Sequence, residues 1–350
     1  MARGGSAAPG EQPLRLIRGD VSRTERQHAE QVMAMGVAGD RLFLGGLDGR
    51  MLSFEFETFP HGPLKFVNPE VNAQASIVDM CTVDSHSPDR ILLAVACHDL
   101  DLRLIAVPTH WPPPRGWIDM MVLGAETDWD VQRLRGHQAP LLSVSAKDKF
   151  VLTAAEDMVT RVWDASTQKE AFNYMHPVDL AEAFWLPGSL EIVTSYLDGR
   201  VRIWDPRDGP DPVCEVQERN AISCITTTPE GLMAFGCEDG KVRFHDPLRV
   251  AGRCVGQLEL PSAVSSLTFA LEERFLFCSC ADGDVYGVGM PGFETCGFEV
   301  QDRERKRPIS RMCSHVLEQD SRTILTYAFH EHGWSFAVVE GSPAAVPEFA

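Results

Sequence analysis

Residues 195–205 read SYLDGRVRIWD. Apolar and hydroxyl residues run into Asp198-Gly199, a pair that favours a tight hairpin, and a second alternating run ends at Trp204, six residues after the Asp. One copy would be a turn between two strands. Whether the chain repeats it decides the fold.

It does repeat. Taking the Asp as reference and looking for an apolar or aromatic residue six positions on gives LDGRMLSF (Asp48 to Phe54), HDLDLRLI (Asp99 to Ile105), EDMVTRVW (Asp157 to Trp163), LDGRVRIW (Asp198 to Trp204) and EDGKVRFH (Asp239 to His245). Weaker copies are ADGDVYGV (Asp282 to Val288) and EHGWSFAV (His332 to Val338), the last with His in the Asp place. The seven copies are spaced by 51, 58, 41, 41, 43 and 50 residues. A period of about 40 to 45 residues is that of a four-stranded propeller blade.

The chain resembles the WD-repeat β-propellers. The resemblance is fullest at Gly136-His137, FVLTAAED (150–157) and VWD (162–164). It implies an all-β, seven-bladed propeller over residues 13–340 and maps the family's structural tetrad onto His137, Thr153, Asp157 and Trp163. In the next repeat it maps onto His176, Thr194, Asp198 and Trp204. The first repeat keeps His28 but has Leu44 in the hydroxyl place, and the other repeats depart further. A buried carboxylate needs partners, and an imidazole, a hydroxyl and an indole N–H supply them, so this constellation reads as a core network and not a catalytic triad.

In family order each repeat supplies the outer strand of one blade and three strands of the next. The last repeat ends on WSFAVVE (334–340), which lacks an outer neighbour, whereas PLRLIRG (13–19) has strand alternation and no other place. The expectation is that 13–19 pairs outside 334–340 and closes the ring, removing an edge. Residues 1–12 and 341–350 read as flexible tails. A Pro/Trp-rich insertion at 108–130 and a basic cluster at 302–308 (DRERKRP) interrupt the pattern; each reads as a loop or as a partner contact.

Apolar residues at 44% and charged residues at 23% indicate a folded chain. With 32 Lys and Arg against 50 Asp and Glu, the net charge of -18 disfavours direct binding to nucleic acid or to an anionic membrane and favours basic peptides. No apolar run reaches the roughly 18 residues of a membrane helix. The N-terminus lacks a secretory apolar core, and the ten scattered cysteines read as reduced, buried thiols. The expected location is cytoplasmic, or nuclear.

No Walker loop, Rossmann fingerprint, H-E-x-x-H or G-x-S-x-G occurs, and the expectation is no catalytic residue, no cofactor and no metal. Only His330 and His332 have even a weak ligand spacing. Function is therefore sought on surfaces. The resemblance implies a peptide-binding top face built from the starts of the inner strands and the residue before each repeat Asp. The candidate set is Gln31, Met33, Leu47, Val78, His98, Leu142, Glu156, Asp179, Leu197, Glu238 and Glu331. Four carboxylates (Glu156, Asp179, Glu238, Glu331) on one side and Met33, Val78 and Leu142 on the other suit a basic peptide with an apolar anchor. The functional reading is a non-catalytic protein–protein interaction scaffold or adaptor, a monomeric propeller within a larger complex. As an alternative, IVTSYLDGRVRIWDPR (192–207) is similar to the box by which some WD-repeat proteins bind the adaptor of cullin-RING ubiquitin ligases, with Arg207 as the contact, which would make the chain a substrate receptor. An enzyme using the central channel is the third reading.

Overall fold

In the computed structural model the described residues are 15–18, 31–55, 65–84, 89–109, 131–228, 230–246, 254–271, 274–290, 294–298, 307–316, 323–330 and 333–340. The expected tails, His28, residues 110–130 of the insertion, residues 302–306 of the basic cluster, Glu331 and His332 lie outside them. All regular structure among the described residues is strand, arranged as seven four-stranded antiparallel sheets. The fold is the seven-bladed propeller that the repeat implied.

The innermost strands are Val32–Ala38, Ile77–Val83, Leu141–Lys147, Leu180–Trp185, Ile222–Thr227, Val264–Ala270 and Ile309–Val316, for blades 1 to 7 in order. In blades 1 to 6 the other three strands follow in sequence toward the outside. Blade 7 differs: its outermost strand is Arg15–Arg18, antiparallel to Trp334–Glu340 with Arg15 opposite Glu340 and Arg18 opposite Ala337. The N-terminal segment thus closes the ring.

Burial follows from position in the blade. Second strands are sandwiched between neighbouring blades and are buried on both faces, as in Ile192–Tyr196 and Thr323–Phe329. The outer strand Lys169–Met175 faces solvent and alternates. Apolar packing lies between the blades, in seven clusters with one at each seam. The closing seam sets Phe54 of blade 1 against Trp334 of blade 7, ring centres 4.9 Å apart. A repeat cannot bury its own face, so each blade depends on its neighbours.

The opening stretch forms the second-to-third hairpin of blade 4. Gly199 has φ +81°, and a Cβ there would lie 2.9 Å from the Glu218 carbonyl oxygen, so the turn needs glycine for both conformation and space.

Candidate functional site

In blade 3, the Trp163 indole N–H donates to Thr153 Oγ1 (2.9 Å), Thr153 lies 2.8 Å from His137 Nε2, and His137 Nδ1 lies 3.0 Å from Asp157 Oδ2. Asp157 also accepts the backbone N–H groups of Gln138 (2.9 Å) and Val159 (3.1 Å). Donors then run in one direction, from Trp163 through Thr153 to a His137 protonated on Nδ1, which donates to Asp157. Burial lowers the His137 pKa, and Asp157 opposes that shift.

Blade 4 departs from the mapped tetrad. Trp204 donates to Thr194 Oγ1 (2.8 Å) and Thr194 donates to the Tyr196 hydroxyl (3.1 Å). His176 Nδ1 then lies 2.8 Å from Tyr196 Oη, and its Nε2 lies 3.0 Å from Thr160 Oγ1 of blade 3. Both ring nitrogens are taken, so His176 does not reach Asp198. Asp198 instead accepts the Arg200 N–H (3.1 Å) and pairs with its guanidinium at the surface (3.2 Å). Burial first and Arg202 second lower the His176 pKa to about 4.

Blades 2 and 5 use a device that the repeat shows on inspection, an Arg four residues after the Asp. Arg103, 1% exposed, forks onto Asp99, and Arg243 pairs with Asp239 at 2.6 Å. In blade 5 Glu218 holds His245 (2.7 Å) and Arg243 (3.4 Å), and Phe235, in the hydroxyl place, stacks on His245. Where a His already holds the Asp, the equivalent Arg161 turns to Glu170. Arg202 turns to Glu215 and stacks over Tyr196. These networks are structural, because each lies within a blade or at a seam.

The rim is built by a hydrogen bond that recurs in every blade. The N–H groups of Leu47, His98, Glu156, Leu197, Glu238, Ala281 and His330 donate to the carbonyls of Gln31, Ser76, Pro140, Asp179, Ala221, Ala263 and Pro308, at 2.8–3.2 Å. Both halves of the expected top face therefore meet at one end of the ring. In blade 7 the residue that makes this bond is His330, since Phe329 opposes Ile309 as Gly46 opposes Val32; the expected Glu331 lies outside the described residues. Glu156, Asp179 and Glu238 lie exposed on the consecutive blades 3, 4 and 5, and Leu197, 68% exposed, lies among them. Met33, Val78 and Leu142 sit lower and are half-buried, at a bulge where each inner strand shifts register.

The residue after that bulge joins neighbouring blades. Asp79 Oδ2 accepts the Val144 N–H of blade 3 (2.9 Å), Ser143 Oγ accepts the Ala183 N–H of blade 4 (2.9 Å), and Ser266 Oγ accepts the Met312 N–H of blade 7 (3.0 Å). Arg311 of blade 7 donates to Asp79 Oδ1 of blade 2 (2.7 Å). The equivalent residue of blade 4 is Glu182. Among the described residues its carboxylate makes no such bond to blade 5, and the inner strands of blades 4 and 5 approach each other least of the seven neighbouring pairs. Burial raises the Glu182 pKa to about 7, with Arg311 opposing and Asp79 reinforcing.

At the bottom of blade 4, Arg207 is 65% exposed but forks onto Asp205 (2.8 Å to each oxygen), and Trp204 is buried. Among the described residues no group of three or more His, Cys, Asp or Glu could hold a metal. No helix there is long and apolar enough to cross a membrane.

The family description "WD domain, G-beta repeat" matches residues 129–164, the blade 3 repeat. Coronin-7 of Rattus norvegicus is 29% identical over 150 residues, which is 41% of this chain and 15% of that protein. The WD repeat-containing protein 55 homolog of Dictyostelium discoideum is 22% identical over 210 residues, 59% of this chain and 49% of that one. Dynein axonemal assembly factor 10 of Homo sapiens is 33% identical over 92 residues, 23% and 25% of the two chains. The chain is thus a seven-bladed β-propeller in which blade 3 carries a matched WD repeat. Such propellers generally bind other proteins, and the class is typically non-enzymatic.

Proposed function

We propose that this chain is a non-catalytic scaffold or adaptor subunit whose rim over blades 3 to 5 binds a peptide segment carrying Lys or Arg around an apolar side chain. The observation that carries this reading is the arc of Glu156, Asp179 and Glu238 with the 68% exposed Leu197 inside it. An acidic arc steers and orients a basic segment, and an exposed leucine gives it an apolar contact. The reading places the propeller as a monomer in a larger complex in the cytoplasm or nucleus. None of the nine cysteines whose side chains are described is in a disulfide, which is compatible with a reducing compartment.

The test is affinity purification with mass spectrometry on the wild type and on a Glu156→Lys, Glu238→Lys double variant. Loss of the same co-purifying proteins from the folded variant is the expected result, and their undiminished recovery rejects the rim. The ubiquitin-ligase reading requires Arg207 to exchange Asp205 for a partner carboxylate. It is tested in the same experiment by recovery of the ligase adaptor and its loss on Arg207→Ala.

A further inference from the structure

The missing join at Glu182 opens onto a cavity. A space of about 310 Å³ in the channel is lined by residues from the inner strands of blades 3 to 7, by Met35 of the inner strand of blade 1 and by Ser195 from the second strand of blade 4. Its size is at the low end for ligand sites and suits a fragment-sized molecule.

Its chemistry is one-sided. Five of the six described serines lining it direct their hydroxyl protons to backbone carbonyls: Ser143 to Ala183 (3.2 Å), Ser195 to Glu182 (3.4 Å), Ser223 to Gly236 (3.0 Å) and Val264 (2.5 Å), Ser265 to Ser279 (3.2 Å), and Ser310 to Ala328 (3.3 Å); the sixth, Ser266, accepts the Met312 N–H. What these oxygens still present to the cavity is lone pairs. Among the described residues the only basic side chain lining it, Arg311, is engaged by Asp79, whose second oxygen is engaged by Val144. With Asp79 and Arg311 cancelling, the excess charge belongs to Glu182. Among the described residues an anion would find no free cation here. A metal ion would find one carboxylate beside an Arg, with Cys224 and Cys313 held as thiols because burial pushes Cys313 up to about 12 and Cys224 further.

We propose that this cavity is a binding site for an organic cation, an alkylammonium or guanidinium group, with Glu182 as counter-ion and the serine hydroxyls as acceptors. The cation satisfies at once the unpaired carboxylate and the acceptor-rich wall. The site does not rest on the rim reading, because a free amine can occupy it without contacting Glu156, Asp179 or Glu238. The cation can come from a small free amine or from a Lys or Arg side chain of a partner.

Binding requires ionised Glu182. Arg311, itself raised, and the two thiols hold one charge state between pH 5.5 and 7.5. With Glu182 near 7, affinity is therefore expected to fall by about 20-fold between pH 7.5 and pH 5.5.

The experiment is calorimetric titration of the full chain with 1,4-diaminobutane and with an arginine-containing pentapeptide blocked at both ends; 1,4-butanediol and succinate serve as matched controls. One-to-one binding of the diamine supports the site and assigns a free amine, whereas binding of the peptide alone supports it and assigns a partner side chain. Glu182→Gln, isosteric and uncharged, is expected to weaken binding about tenfold or more, and Glu182→Asp less. The proposal is overturned if neither cation binds, if the diol or succinate binds as tightly, if Glu182→Gln binds like wild type, or if Glu182→Asp loses more than Glu182→Gln.

Discussion

The hydroxyl of Tyr196 lies 2.8 Å from Nδ1 of His176, where blade 3 presents the carboxylate of Asp157 to His137. The exchange reverses the proton. His137 donates from Nδ1 to a carboxylate, whereas His176 accepts at Nδ1 from a hydroxyl that is itself fed by Thr194 and Trp204, and donates from Nε2 to Thr160 of the preceding blade. Two repeats that read alike in sequence therefore hold their histidines as opposite tautomers, and only one of the two turn aspartates is part of a network.

That difference separates two alanine substitutions. Asp157→Ala removes the acceptor for His137 and for two backbone N–H groups, and is expected to cost about 2–3 kcal/mol. Asp198→Ala removes a surface pair and one turn hydrogen bond, and is expected to cost about 1 kcal/mol or less. Denaturant unfolding of the two variants measures the gap; equal losses would mean that Asp198 is held as firmly as Asp157.

Acid acts on the same residue. His176 has its pKa lowered by burial to about 4, against an ordinary 6.5, so the folded state resists protonation. A depressed group contributes stability that is present above the unfolded pKa and is lost as pH falls through the folded one. Melting temperature is accordingly expected to drop between pH 6.5 and 4, and His176→Gln should flatten that drop while lowering stability at pH 7.5. A variant curve parallel to wild type throughout this window would show that His176 does not set it.

Much of this was legible in the sequence, because the Asp-to-Trp spacing is a local consequence of one hairpin that every blade must make. Blade count, strand order and the closing segment followed from it. The departures come from contacts between repeats. Tyr196 could compete for His176 only once folding brought it there, and the place of His330 in the rim emerges only from the opposition of Ile309 and Phe329. The Arg four residues after the Asp at 103, 161, 202 and 243 was visible, but its partner was not: Arg103 and Arg243 take the repeat Asp, whereas Arg161 and Arg202 take a Glu of the outer strand. Glu182 gave no signal at all, since its meaning lies in joins that Asp79, Ser143 and Ser266 make and it does not.

Ring closure makes a mechanical expectation. Removing residues 1–19 strips the strand Arg15–Arg18 from Trp334–Glu340 and bares the edge of a strand that also forms the seam with blade 1. The loss is expected to exceed about 2 kcal/mol, a fall of several degrees in melting temperature, with aggregation on heating from the exposed edge. Scanning calorimetry with light scattering measures both. An unchanged melt would mean that the propeller closes without this strand.

Glu182 sets a stability dependence opposite to that of His176. Its folded pKa, near 7, stands above the ordinary carboxylate value of 4.5, so its contribution is fully present below 4.5 and is lost as pH rises through 7. Above that pH the folded chain carries an unpaired carboxylate in its channel, which only a bound cation would offset. Glu182→Gln keeps the shape and removes the charge, and is therefore expected to stabilise the protein by roughly 2 kcal/mol at pH 8 while matching wild type near pH 4.5. Unfolding of both proteins across that range is the measurement. A variant less stable than wild type at pH 8 would show that the carboxylate is already satisfied within the fold.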